Sequence, residues 1–295
     1  MTYLPHLSVR NAAEVPDDQP AGPDAGLPRV FDVYERLGHA DPTGAWDSFC
    51  RAHNWAASFP RASPADGVGD HVPSVRLTEG GRLLSGVWRL PPAYRRARWL
   101  ALRSAPAGDG RPGECNSLYV VGVGALERSG AVDDEALLIR LRDLYIPAGL
   151  TACAAGRELR AKEAEFLWVA VTAMAMGAAR HLLETTARLA PEPVSPDSPT
   201  AGLGAALDRR REAVRRDLTL AAASGAGAGA ATPGIVERVE ESHHLVRDVY
   251  AAAYQYALPR TQSVHPLESI MTGSAPVLQH ARFTTSLLPA TGTTS

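Results

Sequence analysis

Imidazole changes charge near neutral pH, which suits it to general acid or base work, and the 295-residue chain has nine histidines to weigh for that role. His280, in an amphipathic stretch near the end of the chain, is the candidate catalytic residue. The simpler alternative is a helix histidine bonded to a neighbour. His243 and His244 are consecutive, so on a helix their rings point to different faces and make no i,i+4 metal pair; two solvated histidines are expected. Arg95, Arg96 and Arg98 follow a double proline. Guanidinium groups pair bidentately with carboxylates and phosphates, so this cluster suits an anionic substrate or a carrier-borne phosphopantetheine, its alternative being a loop rim in water. Tyr250 and Tyr254 share a helical face as core or interface aromatics, and Tyr254 joins the three arginines as a candidate substrate-binding residue. Residues 208–216 mix charges of both signs at helical spacing, the pattern of a solvated, salt-bridged face more than of a phosphate clamp.

The elements that must position these groups fall into three zones. Residues 1–28, with Pro5, Pro16, Pro20, Pro23 and Pro28, have no period and are expected to form an extended or disordered arm. Over 29–65, Val30, Val33, Tyr34, Leu37, Ala45, Trp46 and Phe49 recur at three- and four-residue spacing, and Asp41-Pro42 reads as the N-cap and first residue of a second helix. Over 66–147 the pattern becomes that of a small β domain. Glu79-Gly80-Gly81 marks a tight turn, residues 99–102 and 118–123 read as strands, and the run from Leu137 to Tyr145, closed by Pro147, as the last one. From 148 to 295 four amphipathic blocks, 157–190, 203–223, 234–257 and 266–288, are separated by Pro- or Gly-rich breaks and predict an antiparallel four-helix bundle. The fold class is α+β. Trp168, Met174 and Met176 read as bundle packing.

Composition excludes several classes. Forty-five per cent hydrophobic residues suffice for a core, and 30 Lys+Arg against 32 Asp+Glu leave a charge of −2, so no basic field draws the chain to nucleic acid or an anionic membrane. Lys162 is the single lysine. Cys50, Cys115 and Cys153 are odd in number and far apart, which predicts neither a disulfide framework nor a metal site and suits the cytoplasm. No signal-peptide segment and no run of about 18 uncharged apolar residues is present. Gly-rich phosphate loops, HExxH and GxSxG are also missing.

The order helices, β domain, bundle, together with four stretches of sequence, resembles the acyl-CoA dehydrogenase superfamily, and within it the flavin-dependent monooxygenases of phenols and polyketides. The stretches are residues 37–46 at the helix junction, 79–88 with 97–100 in the β hairpin and the strand after it, 139–147 leading into the bundle, and Pro266-Leu267-Glu268 with Gln279-His280 in the last helix. The resemblance covers about residues 30–288. It implies that His280 occupies the position of the histidine that poises the flavin hydroperoxide.

Departures from the family pattern fall on the flavin side. Pro91-Pro92-Ala93 replaces the Ser-Gly that lies against the flavin, and proline offers neither N–H nor hydroxyl. The Gly-rich segment before the last strand is reduced to residues 129–135, Thr272-Gly273 stands for an Arg-Asp pair, and the N-terminal helices are cut to one pair. The expectation is an enzyme on this scaffold with no tightly bound cofactor, acting on a hydrophobic polyketide-like intermediate, free or carrier-linked, by cyclisation, isomerisation or dehydration. His280 would be its acid or base and Arg95, Arg96 or Arg98 would orient the substrate. One alternative is a monooxygenase or dehydrogenase holding FAD or FMN by atypical contacts. Another is a non-catalytic subunit partnering a full-length paralogue; a homo-oligomer, dimer or tetramer, is expected otherwise.

Overall fold

Two short helices open the fold: α1 (Leu27–Ala40) and α2 (Pro42–Ala52). In the computed structural model, which describes residues 20–65, 73–103, 117–128, 131–189, 199–223, 233–257 and 265–289, Asp41 joins them as the sequence predicts. Its backbone N–H closes α1 on Leu37 O, and its carboxylate accepts from the amides of Thr43 and Gly44 at 3.1 and 3.0 Å. The expected 28-residue arm is too long, because Ala21 is buried and its carbonyl accepts from the Tyr34 hydroxyl at 3.0 Å. A proline in the first turn of a helix loses no bond, so Pro28 helps start α1 instead of delaying it.

The strands follow as β1 (His53–Asn54), β2 (Arg61–Pro64), β3 (Ser74–Thr78), β4 (Gly81–Arg89), β5 (Trp99–Arg103) and β6 (Ser117–Gly122). After helix α3 (Val123–Arg128) come β7 (Val132–Asp133), β8 (Leu138–Pro147), β9 (Thr151–Cys153) and β10 (Arg157–Glu158). The main sheet runs β7-β8-β4-β2-β5-β6-β9, with β3 also on β4, and β1 pairs separately with β10. Thr78 faces Gly81, which leaves Glu79-Gly80 as a two-residue turn, and Gly80 takes φ +67°, a conformation that costs glycine little.

Two boundaries differ from expectation. The sheet does not end at Pro147, since the chain makes one 3-10 turn at Ala148–Leu150 and returns as β9 along β6. The first bundle helix accordingly starts at Ala164 and not at 157, behind β10 and a turn at Ala161–Glu163 that holds Lys162. Cys153 is disulfide-bonded, contrary to the expectation that the cysteines form no disulfide framework, whereas Cys50 is free.

The remaining helices are α4 (Ala164–Leu189), α5 (Pro199–Ala223), α6 (Pro233–Ala257), α7 (His265–Ala281) and the single turn α8 (Thr284–Leu287). Arg210 pairs with Glu241 and Asp217 with Arg238, so α5 and α6 run in opposite directions; Tyr250 bonds Ser274 while His243 lies near Ala281, which makes α6 and α7 antiparallel too. Helix α1 joins this bundle as an extra member. Glu35 meets Arg211 and Asp32 meets Arg215 on α5. Against α4 the approach is backbone to backbone: a Cβ on Gly38 would sit 2.3 Å from Met174 O, and one on Gly177 2.1 Å from Glu35 O. Every residue of α4 from Phe166 to Ala179 is buried. Among the described residues this is the one helix apolar and long enough to cross a membrane, and most of it is enclosed by the protein.

Candidate functional site

His280 lies on the last turn of α7 and is completely buried. Its Nδ1 donates to Gly149 O at 2.8 Å, and its ring packs on Trp55 and Trp46, with centroids 4.6 and 5.0 Å away. Burial lowers its pKa to about 4, with the Gly149 carbonyl pulling the other way. Nε2 is buried without a partner, as is Trp55 Nε1. Around it the β domain and the bundle are bolted together. Gln279 donates to Gly80 O at 2.9 Å and accepts from Gly149 N at 3.0 Å, and Trp99 donates to Ser286 O at 3.1 Å; within the bundle Trp168 donates to Thr284 O at 3.1 Å. A Cβ on Gly149 would come within 2.2 Å of Pro276 O. His280 is therefore a sealed joint between the two halves, and the open cavity that a catalytic role needs does not reach its ring.

The turn that stands where the family resemblance puts Ser-Gly beside the flavin is internally bonded. Leu90 N is spent on Leu137 O, Tyr94 N on Pro91 O and Ala97 N on Tyr94 O. Pro91 and Pro92 have no N–H, and the Tyr94 ring, 2% exposed, folds inward with its hydroxyl bonded to Asp134. The amides of Leu90, Tyr94 and Ala97 are thus consumed locally, and Gly149 is in backbone contact with α7.

The other predicted residues lie apart from His280. Arg95, in the 3-10 turn Pro92–Arg96, pairs with Asp134 at 3.4 Å, and Arg96 and Arg98 are exposed beside it. Tyr254 is half exposed on α6, whereas Tyr250 is buried with its hydroxyl on Ser274 at 2.7 Å and its pKa raised by desolvation. The proposed catalytic and substrate residues thus do not converge. Residues 208–216 form the salt-bridged face expected of them, directed at α1 and α6.

Convergence occurs instead in a cleft of about 340 Å³ where α4, α6, α7 and α8 meet. Glu240, His243, His244 and Arg247 enter it from α6, Arg282 from the turn after α7 and Thr285 from α8, over an apolar floor. His243 corrects the expectation of two solvated imidazoles, being half-buried with Nε2 3.0 Å from Thr172 Oγ1. Desolvation lowers its pKa to about 3, helped by His280, His244 and Arg247 and opposed by the Ala281 backbone. Only His244 faces water as predicted. The i,i+4 spacing of Glu240 to His244 and of His243 to Arg247 is the sequence signal for this wall. Among the described residues no cluster of His, Cys, Asp and Glu could hold a metal ion.

No family model matches the chain, and no curated protein matches it either. Solved structures do resemble it. XiaF from Streptomyces sp., in complex with FADH2 and glycerol, is 16% identical with TM-score 0.42 over 91% of this chain and 81% of its own. Apo-form PigA is 15% identical with TM-score 0.40 over 90% and 80%. An acyl-CoA dehydrogenase from Geobacillus kaustophilus is 12% identical with TM-score 0.40 over 92% and 84%. Likenesses of this depth concern the course of the chain and carry nothing about activity or ligand. The protein is similar in that respect to acyl-CoA dehydrogenase-fold proteins and flavin monooxygenases, along most of its length.

Proposed function

We propose that the protein is a biosynthetic enzyme on an acyl-CoA dehydrogenase-like scaffold that works without a redox flavin, acting on a hydrophobic natural-product intermediate by cyclisation, isomerisation or dehydration. The observation that supports it is the exchange of sites: the seam around His280 is packed shut, while the cleft on α6 and α7 gathers the titratable groups. In the cleft, positioning would supply most of the rate, since holding reacting atoms in near-attack geometry is worth about 7–11 kcal/mol at its best. Glu240 and His244, one turn apart on α6, are the proton-handling groups there. His243 stays neutral at physiological pH and braces that wall through Thr172.

Protein purified from its own host tests this reading by absorbance, by flavin fluorescence after denaturation, and by native mass spectrometry. Protein free of flavin and unresponsive to added FMN, FAD or their reduced forms supports it. Stoichiometric flavin overturns it.

A second reading, a subunit that pairs with another chain, is favoured by β3. All five of its residues are exposed, and Leu77, 77% exposed, and Val75 present apolar side chains at a sheet edge next to β4. The partner proposed is a second copy of this chain. Light scattering on the protein and on Leu77→Lys checks it: a dimer or tetramer that falls to monomer is expected, and a monomer in both removes it.

A further inference from the structure

The cleft between α6 and α7 also carries a ligand class, which rests on its assignment above as the working site. We propose that it binds an amphipathic carboxylate, the anionic head held by Arg247 and Arg282 and the hydrocarbon part lying on Ala175, Val246, Leu278 and Ala281. Charge bookkeeping in the bundle is the first argument. Arg180, Arg210, Arg211, Arg215 and Arg238 each hold a carboxylate within 4 Å, whereas Arg188, Arg209 and Arg216 hold none among the described residues but do not line this cleft. Arg247 and Arg282 form no such ion pair among the described residues. The side-chain hydrogen bond that Arg247 makes runs to the ring nitrogen Nδ1 of His244 and not to a carboxylate, and Arg282 leans over the Phe283 ring at 5.8 Å. Two guanidinium groups thus border one concavity with no carboxylate within 4 Å of either among the described residues, and both are exposed enough to be reached.

The remaining lining narrows the anion to a singly charged one. Glu240 shares the cleft, and α7 ends at Ala281, so its carbonyl end points negative potential toward the same place. A phosphate dianion meets two repulsions there, a carboxylate half as much charge and a planar fork that matches guanidinium. No lysine lines the cleft, and the helix that starts beside it, α8, is a single turn. The four apolar residues of the floor give the hydrocarbon part its burial. A volume of about 340 Å³ suits a small molecule, near the lower end of the range for ligand pockets.

Octanoate, 1-octanol and inorganic phosphate, titrated calorimetrically and by thermal shift into the full chain, form the test. Octanoate is expected to bind at millimolar concentration or below and to raise Tm, with octanol and phosphate weaker. Arg247→Ala and Arg282→Ala should each weaken octanoate about tenfold or more, Arg247→Lys should recover part of the loss, and Arg128→Ala, at the end of α3, should change nothing. Octanol binding equal to octanoate, phosphate binding tighter than octanoate, or Arg variants that bind normally would each overturn the proposal. Bound flavin with intact octanoate binding would sink the flavin-free reading and leave this one standing.

Discussion

His280 Nδ1 and Gly149 O, 2.8 Å apart, belong to different halves of the molecule, the end of α7 and the turn after β8. Because a carbonyl can only accept, the proton sits on Nδ1 and the buried Nε2 carries a bare lone pair. That fixes a neutral tautomer in an aromatic enclosure.

Replacing His280 by Ala removes a buried hydrogen bond and the packing of two indoles, at an expected cost of about 2–4 kcal/mol. The measurement is the urea midpoint at unchanged m. A residue serving chemistry alone would lose activity while the midpoint stayed put.

Glycines on the two sides of the structure should respond oppositely to the same change. Gly149→Ala drives a Cβ against Pro276 O, where the backbone of α7 must move, and costs about 1–3 kcal/mol or prevents folding. Gly202, in the first part of α5, meets nothing within 4 Å, so Gly202→Ala should gain about 0.5–1 kcal/mol. Thermal unfolding of both variants beside the parent decides it.

Acid should weaken the fold before the carboxylates protonate. His53, His243 and His280 have pKa values lowered by burial from 6.5 to about 4, 3 and 4. Between those values and 6.5 the unfolded chain binds protons that the native one excludes, so stability is fully present above pH 6.5 and falls as pH drops. Each group contributes a slope of up to about 1.4 kcal/mol per pH unit. A urea midpoint that stays flat from about pH 6.5 to 5 contradicts this.

Glu35 is 4% exposed and touches Arg211 at 2.6 Å and Arg180 at 3.9 Å, tying α1 to α5 and α4. Glu35→Ala removes the buried partner of Arg211, which keeps Glu212 at 3.5 Å, while Arg180 keeps Glu184 at 3.1 Å, and a loss of about 1–3 kcal/mol is expected. Because the pairs are partly wet, added salt should shrink the difference between variant and parent.

What the sequence made legible was local. Asp41-Pro42 announced a capped helix, Glu79-Gly80-Gly81 a hairpin, and the 3.6-residue period the bundle, since each depends on neighbours in the chain. The misses all depend on meetings across space. β9 is three residues long and acquires its identity by lying along β6. Cys153 finds a partner that spacing does not reveal. Ala21 is ordered through a hydroxyl thirteen residues on. In the candidate site the sequence offers His280 as an acid or base, but its environment, two tryptophans and a glycine carbonyl from other segments, depends on the assembled fold. His243 and His244 differ by one position and by most of their solvent contact, which a helix phase alone does not forecast until α4 and α7 are in place.

Helix α4 owes its tolerance of water to a cover from the opposite end of the chain. Gly38 and Gly177 let α1 settle on it at backbone distance, shielding a stretch apolar enough to enter lipid. A nascent chain synthesises that cover first and the greasy rod more than a hundred residues later, so the ribosome releases α4 with its sheath already made. A shortened transcript starting after α1 would send out the rod undressed, to be retained by membranes or chaperones.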